Sequence, residues 1–463
     1  MDLETNSSPH TITHLALKSN HGVNVQVHQV GDVFDQKPLV AEDATARPLA
    51  HAEVSPTSLT IPSGWKIQEV DGKLDPRVKA QQLTTAPPPP LGVLTNFNGN
   101  FAGSGFNLIF RPNSGPPTTT TFPNAVSPAP PAPPSENVLE LNLTKETLTF
   151  SNSLGSVPNR GLEKQNDIFL NGVPYVQSIS DVTNIDTGKP DGNPTGIHFE
   201  PGLWMHVPST TTDPTLGESL VRMASIPHGT TINAQCLAPV SSIAGPPGIP
   251  SVDITPFVIG STQQAKPVVF ASQTASNTDT PRIPQDLTKF IAEGTINQDI
   301  LTDPNTVLRN AIIGQTITKT IVFTVSTNPT APELGGGTAN IAFLLGDPVT
   351  AAQPQGPNAS AVQMSATFWI ETVQHKIEVP PFKPGEPPLK LSPSASNAGA
   401  HVPVFEINPP HEITIPKTIV VNSIQVQYSQ TVFLNFAGLT WPHVSVTTLV
   451  PSTDQTVPPS AWN

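Results

Sequence analysis

Alternation of apolar and polar residues with a period of two recurs through most of the chain. In the segment 137–151, apolar residues alternate with polar ones, first over 139–143 and later at Leu148 and Phe150. This pattern is typical of a β-strand with one buried face. We expect the strand to bend near Lys145, between the two apolar series.

Similar segments predict further strands along the chain. The segment 167–183 contains Asn171-Gly172, a dipeptide that favours a tight hairpin turn, so we expect a hairpin there. The segment 197–208 contains Pro201-Gly202, at which we expect the strand to break. The remaining segments with strand character are 219–236, 319–327, 338–347 and 361–379.

One stretch has helical character instead. Between residues 283 and 312, Leu287, Phe290 and Ile291 recur at helical spacing, and Gly294 follows at a position suited to a helix C-terminus. We expect a short helical pair inserted between strands, where it would cap an opening of the sheet structure.

These elements predict an all-β protein with three regions. Residues 1–90 are expected to form an N-terminal extension, partly disordered or an edge strand, that ends in the proline run 86–90. Residues 91–379 are expected to form a large antiparallel β-barrel with the helical insertion near 283–312. Residues 380–463 are expected to be a proline-rich linker followed by a small C-terminal β unit.

Composition narrows the classes of partner. The formal net charge is −13, with 22 lysines and arginines and no basic run, which argues against a nucleic-acid partner. No stretch approaches the roughly 18 consecutive apolar residues of a membrane span. The first residues carry two acids and no apolar run, so we expect no signal peptide and a soluble, cytoplasmic protein.

Chemically versatile side chains are scarce, because charged residues make up only 12% of the chain, against about 25% in typical soluble proteins. Several of these side chains concentrate in the segment 196–236. His198 and Glu200 are expected on one strand face, where a carboxylate can orient an imidazole. Trp204 and His206 share a face after the expected break. The alternative is that His198 and Glu200 face solvent while Trp204 fills the core.

Arg222 stands within an apolar strand, and a buried guanidinium must be paired. Either an acidic ligand or Glu200 would serve as its partner. His228 is expected at a strand-end turn, where it either contacts a cofactor or bonds to backbone. Cys236 is interpreted as a small buried residue. His375 shares a strand face with Glu371, and this face points either into the barrel or to solvent.

The glycines Gly99, Gly103 and Gly105 of the first strand, followed later by the segment 198–204, resemble the calycin-type barrels. The likeness is to the nitrobindin-like and fatty-acid-binding-protein-like binders of haem or lipophilic molecules. It implies an antiparallel barrel around an apolar ligand or haem, with a late-strand histidine as axial ligand. His375 has that late position, and His228 is the alternative candidate for the axial ligand. The chain departs from this pattern in having no first-strand tryptophan.

The leading functional hypothesis is therefore a barrel that binds an apolar small molecule, with haem as a possible cofactor. The residues predicted to form the site are His198, Glu200, Trp204, Arg222, His228 and His375. The first alternative is a barrel enzyme, a cyclase, isomerase or dehydratase, that uses histidine and Glu200 in acid–base chemistry. The second alternative is a structural or surface-interaction protein.

Overall fold

The structure is a computed structural model, and it describes residues 88–112, 137–211, 215–227, 229–237, 240–328, 336–341, 359–397 and 400–462. The predicted N-terminal extension, residues 1–90, lies almost entirely outside these ranges. Within the described part of the chain, no helix is long and apolar enough to cross a bilayer.

Ten antiparallel strands close into a β-barrel, as the all-β prediction required. Each barrel strand pairs with the next one along the chain, and β17 pairs with β1, so that the barrel sheet closes on itself. The barrel strands are β1 (Gly99–Pro112), β2 (Asn137–Phe150), β4 (Ile168–Asp181), β5 (Thr195–Val207), β6 (Ser219–Ser225), β7 (Thr230–Cys236), β11 (Thr316–Ser326), β13 (Ser360–Val379), β16 (Lys417–Phe436) and β17 (Leu439–Pro451).

Shorter strands extend or accompany the barrel. Five of them pair with barrel strands: β3 (Val157–Asn159), β8 (Ser241–Ala244), β9 (Phe257–Val258), β10 (Arg282–Ile283) and β12 (Gly337–Asn340). A separate three-stranded sheet consists of β14 (Leu389–Leu391), β15 (Phe405–Ile407) and β18 (Gln455–Thr456).

Both faces of β2 are buried over residues 137–144, and both faces of β1 over residues 106–108, whereas the alternation predicted one buried face. Further along β2, Lys145 and Thr147 are exposed. The leucines of 139–143 point outward into an apolar cluster, together with Phe106 and Leu108 of β1. The intervening Glu140 and Asn142 point into the barrel and are also buried. Pairing of β1 with β2 is continuous in register from residue 137 to residue 150, with no shift at Lys145, where a bend was expected. The polar face of β2 therefore forms part of the inner wall of the barrel.

The outward cluster is covered by the helical insertion. Its helices are α1 (Thr288–Glu293), α2 (Gln298–Thr302) and α3 (Thr306–Ala311), within the predicted range. Gly294 ends α1 with a φ of 72°, in the left-handed region that glycine favours. Phe290 and Leu308 pack against the outer face of β1, β2 and β17. The expectation that the helices cap an opening is wrong, because they lie on the barrel wall.

Arg282 holds the loop that leads into the helices. Its side chain is fully buried and donates hydrogen bonds to backbone carbonyl oxygens instead of a carboxylate, among them those of Ser272 at 2.9 Å and Asn277 at 2.7 Å. Burial lowers the pKa of Arg282 to about 10, so the guanidinium stays charged at neutral pH. These carbonyl oxygens satisfy a buried cation that has no salt-bridge partner among the residues described.

The barrel extends beyond residue 379, where the sequence placed its end. β16 pairs with β13 along almost its whole length, and β17 pairs with both β16 and β1. These two strands were expected in a separate C-terminal unit. What remains of that unit is the three-stranded sheet, whose core residues Phe405 and Ile407 pack against Ile377 and Ile419 at the ends of β13 and β16.

Two turn signals proved to lie inside strands. Asn171-Gly172 pairs with Met205 and His206 within β4 and β5, so the predicted hairpin is wrong. The side-chain oxygen of Asn171 accepts hydrogen bonds from the backbone amides of Gly155 and Gly172. The asparagine thus stabilises the chain within the strand and does not form a turn. Pro201-Gly202 also lies within the unbroken strand β5, so Glu200 and Trp204 share one face.

Gly103 and Gly105 allow β1 to approach β17 closely. A Cβ atom at Gly103 would lie 1.9 Å from the carbonyl oxygen of Thr448, and one at Gly105 would lie 2.1 Å from that of Val446. Because backbone oxygens cannot move aside as a flexible side chain can, only glycine fits at these positions. The closing seam of the barrel therefore depends on them.

We expect Gly103→Ala to lower the free energy of unfolding by about 3 kcal/mol, because the added methyl group forces β1 away from β17. Urea denaturation followed by tryptophan fluorescence measures this loss. Gly196→Ala is the matched control in another barrel strand, since a Cβ there meets no atom within 4 Å. Equal stability of the two variants would contradict the close approach.

Candidate functional site

Arg222 lies at the centre of the barrel interior and is almost completely buried. Strand β6 places it between Leu220 and Ala224, two apolar residues on the same inward face. Its Nη2 atom lies 2.7 Å from Oε1 of Glu200, and its Nη1 atom donates to Oε1 of Gln430 at 2.8 Å. The partner of the arginine is thus Glu200, one of the two possibilities that the sequence left open.

Glu200 connects Arg222 to two further side chains. Nε of Arg222 donates to the hydroxyl oxygen of Tyr175 at 2.9 Å, and that hydroxyl donates to Oε1 of Glu200. The second carboxylate oxygen lies 3.2 Å from Nε2 of His198, so the predicted pair of His198 and Glu200 exists. Both carboxylate oxygens therefore have a partner inside the barrel, as a buried charge requires.

A second carboxyl group extends this arrangement. The amide of Gln177 donates to Oε1 of Glu146 and to the hydroxyl of Tyr428, both at 2.8 Å. The same hydroxyl donates to Oε2 of Glu146 at 2.7 Å. We call the connected side chains the central network: Glu146, Tyr175, Gln177, His198, Glu200, Arg222, Tyr428 and Gln430.

The two carboxyl groups of the central network differ in acidity. Burial alone raises the pKa of Glu200, but the charge of Arg222 and hydrogen bonds from His198 and Tyr175 outweigh it and lower the pKa to about 2. Burial raises the pKa of Glu146 to about 7, although Tyr428 and Gln177 donate to it. Glu200 is therefore a fixed anion, whereas Glu146 exchanges a proton near neutral pH.

Aromatic rings fill the interior on one side of the central network. Phe97 stacks on Phe150 with ring centroids 4.6 Å apart, and Phe368 lies 5.2 Å from Trp204 and 5.5 Å from Phe323. We call these five residues the aromatic cluster. The guanidinium of Arg222 lies 5.8 Å from the ring of Trp204 and 5.6 Å from that of Phe368, within cation–π range. This half of the barrel is a packed core.

Polar side chains line the interior on the opposite side. The amide of Asn107 donates to Nε2 of His443 at 2.8 Å and to Oγ of Ser445 at 2.7 Å. The amide of Asn142 donates to Asn107 at 3.3 Å and to Glu140 at 3.2 Å. These five residues, on the inward faces of β1, β2 and β17, form what we call the polar wall. Glu140 also pairs with Arg111 at 2.9 Å.

The structure separates the other predicted site residues. Trp204 lies in the core, as the alternative interpretation of it stated. His206 shares its inward face but bonds to Glu218 at 2.7 Å, beside the 3₁₀ turn Gly92–Asn96. His375 lies on the outer face of β13, away from the interior, and bonds to Ser423 at 2.8 Å. His228 lies outside the described residues.

Several residues of the site were not anticipated. Asn142 and Glu140 looked solvent-facing, because they alternate with leucines in a strand expected to have one buried face. Glu146 was not singled out. Tyr175, Gln177 and Tyr428 stand in predicted strands and carry no motif. The available signal was that Glu146 and Gln177 occur at apolar parity positions, next to Leu148 and Tyr175 on the same inward faces.

The described residues contain no group of three or more histidine, cysteine, aspartate or glutamate side chains placed to hold a metal ion. For haem, the two described histidines on the inward face of β5, His198 and His206, are each engaged by a carboxylate. Either histidine would have to leave its carboxylate partner to bind haem iron. His443 of the polar wall is a third inward-facing histidine, and it is bonded to Asn107.

Comparison of the chain with protein-family models, curated proteins and solved structures found no match. The likeness to calycin-type barrels therefore stays a prediction. The functional argument depends on the geometry of the barrel interior.

We expect Arg222→Met to lower the free energy of unfolding by about 3–5 kcal/mol, because Glu200 would remain buried without its cation. Combining this change with Glu200→Gln removes the stranded charge. The loss in the double variant is then smaller than the sum of the two single losses. Urea denaturation of all three variants gives these values.

The exposed pair of Lys390 and Asp454, 2.6 Å apart, provides the control. Lys390→Met leaves the free energy of unfolding unchanged within error, because solvent screens that pair. Losses at Arg222 and Glu200 that simply add would contradict their coupling.

The pKa of Glu146, raised from 4.5 to about 7, predicts a pH dependence of stability. Between these values the folded protein holds a proton that the unfolded chain has released, so this contribution to stability is lost as the pH rises. Glu146→Gln removes the titration. The variant should therefore gain stability relative to the original protein, on the order of 3 kcal/mol, as the pH rises from 4.5 to 8.

Urea denaturation of both proteins at half-unit pH intervals measures this difference. Glu371, whose pKa burial raises to about 8, titrates in both proteins, and its effect cancels in the comparison. A stability difference that does not change with pH would contradict the raised pKa of Glu146.

Proposed function

We propose that the barrel binds a small molecule inside its polar half, between the polar wall and the central network. The observation that carries this proposal is the division of the interior into an aromatic half and a polar half. A barrel interior that served only stability would be filled by apolar side chains, because buried polar groups lose hydration. The polar half therefore has a use beyond packing.

The polar half is also the side that solvent reaches. The side chains of His198 and Arg111 are each 14% exposed, and that of Glu140 is 10% exposed. Glu200, one hydrogen bond deeper than His198, is completely buried. A ligand approaching from this end meets His198 and the polar wall first, with the ion pair of Glu200 and Arg222 below them.

The chemistry of the lining favours a ligand that carries polar groups. Hydroxyl, amide and imidazole groups on the polar wall can exchange hydrogen bonds with an uncharged polar group. The aromatic cluster is a packed core on the far side of the central network, so it does not line the proposed site. A small molecule with an uncharged polar group fits this lining, whereas the ligand predicted from the sequence was apolar.

Native mass spectrometry of the purified full chain, followed by denaturation and small-molecule analysis, should detect a bound compound. Ser445→Ala removes one hydroxyl of the polar wall, and we expect about fivefold weaker binding of the released compound. Ser180→Ala, on the outward side of β4, is the matched control and should bind normally. Equal binding by both variants would overturn a site at the polar wall.

Haem is the cofactor version of this proposal, as the calycin likeness implies. Titration with hemin tests it, because binding of an axial histidine to the iron shifts and sharpens the Soret band of hemin, and replacement of that histidine removes the shift. Since His375 lies on the outer face, His375→Ala should leave this shift unchanged, whereas His198→Ala would reduce it if His198 is the ligand. If no spectral change occurs, haem is excluded as the ligand, and the proposal of another small molecule stays.

A second candidate is an acid–base enzyme, favoured by the unequal acidity of Glu146 and Glu200. Two carboxyl groups held at a pKa of about 7 and about 2 within one network resemble the arrangement of acid–base sites. In this version Glu146 exchanges the proton, and Glu200, as a fixed anion, keeps Arg222 in place. Conversion of the co-purified compound by the original protein, but not by Glu146→Gln, would support it.

A further inference from the structure

Strand β5 has an unusual distribution of polar and apolar side chains. Its inward positions include the polar residues His198 and Glu200, whereas its outward positions carry Phe199, Pro201 and Leu203. An antiparallel strand with one face on a core ordinarily shows the reverse, with apolar residues inside and polar residues outside. The outer surface of the barrel is therefore apolar along this strand.

The neighbouring strands continue this apolar surface. Val176 of β4 lies opposite Pro201, and Met223 of β6 lies opposite Leu203. Val221 lies two residues before Met223, on the same side of β6. Directly opposite residues of antiparallel strands point to the same side of the sheet, so these side chains share one outward surface. We call it the outer apolar face: Val176, Phe199, Pro201, Leu203, Val221 and Met223.

The outer apolar face is open to solvent, whereas the apolar outer surface of β1 and β2 is covered. Phe106 and Leu141 of that surface pack beneath the helical insertion, in one cluster with Phe290. On the outer apolar face, Phe199 is 47% exposed and Met223 is 36% exposed. The largest exposed apolar patch of a monomer is often a contact site for a partner. The single chain thus covers one apolar wall of the barrel and leaves this one accessible.

The surroundings of the outer apolar face are polar but uncharged. Thr149 of β2 lies opposite Val176, and Asn233 of β7 lies opposite Met223. The next outward residue of β4 is Ser178. Two copies of the chain, each with a formal net charge of −13, repel one another at long range, but this face brings no like charges into contact. A basic protein, which the net charge would otherwise attract, finds no carboxylate here to pair with. The charge distribution therefore favours a second copy as the partner.

The size of the face fits a weak dimer. With a rise of about 3.4 Å per residue and a spacing of about 4.8 Å between strands, the face and its flanking residues on β2 and β7 measure roughly 20 Å by 20 Å, or about 400 Å². A stable dimer of standard size buries about 800 Å² per partner, and weak, transient complexes bury less than about 600 Å². A contact of this size holds two copies together reversibly.

We propose that the outer apolar face is the contact surface of a reversible homodimer. In this dimer β4, β5 and β6 of one copy pack against the same three strands of a second copy. A two-fold symmetric contact places the same residues on both sides, so the apolar side chains of each copy meet those of the other. The contact lies on the outer side of the barrel wall, so it is separate from the ligand site proposed above.

Sedimentation velocity of the full chain, at about 1 to 200 μM, should show a monomer–dimer equilibrium in the micromolar range. Raising the NaCl concentration from about 20 to 500 mM should strengthen the dimer, because salt screens the repulsion between the two net charges. Phe199→Glu and Met223→Glu should each weaken dimerisation at least about tenfold, because the contact would bury a carboxylate without a partner.

Phe169→Glu is the matched control, because Phe169 is 45% exposed but lies at the start of β4, opposite Pro158 of β3 and outside the face. It should dimerise as the original protein does, and circular dichroism checks that all three variants are folded. The proposal is overturned if the original chain stays monomeric, if both face variants dimerise normally, if the control is weakened equally, or if salt dissociates the dimer. A monomer that floats with phosphatidylcholine vesicles would assign the face to a lipid surface and also overturn the dimer.

Discussion

A buried guanidinium needs hydrogen-bond acceptors from neighbouring side chains. To supply them for Arg222, several strands of the barrel must present polar side chains to its interior. The partners of Arg222 come from three other strands: Tyr175 and Gln177 from β4, Glu200 from β5 and Gln430 from β16. Because β16 is not a neighbour of β4 or β5 in the sheet, the cation fixes two separate parts of the barrel wall relative to each other. The ion pair with Glu200 then offsets the cost of removing both charges from water.

The same requirement explains why the interior is divided. The carboxylate, phenol and amide groups that bond to Arg222 are themselves buried polar groups. Each of them needs further hydrogen-bond partners inside the barrel. Glu146, Gln177 and Tyr428 supply those partners, and the polar wall continues the series towards solvent. The aromatic cluster occupies the side of Arg222 where no acceptor is needed. The ligand binding and the acid–base chemistry proposed above both depend on this one division.

The alternation of residues was sufficient to predict an all-β barrel and the helical range. It placed His198 and Glu200 on one strand face and named Glu200 as one of two possible partners of Arg222. It was insufficient for β2, because a period of two does not reveal whether the polar face meets solvent or a barrel interior. His375 has the parity of Glu371, and parity alone cannot say which face is outside. Asn171-Gly172 formed no hairpin because β4 and β5 pair across it, so tertiary pairing overrode the local turn preference.

The pairing of β1 with β17 gives the barrel a particular order of assembly. Phe101 of β1 lies opposite Pro451 of β17. The first and last strands of the barrel can therefore pair only after nearly all of the described chain has been synthesised. Contacts between such distant residues form slowly, because a long loop must close first. During synthesis β1 therefore presents an unpaired edge until the final strand emerges from the ribosome. Such an unpaired strand edge can pair with other chains and cause aggregation.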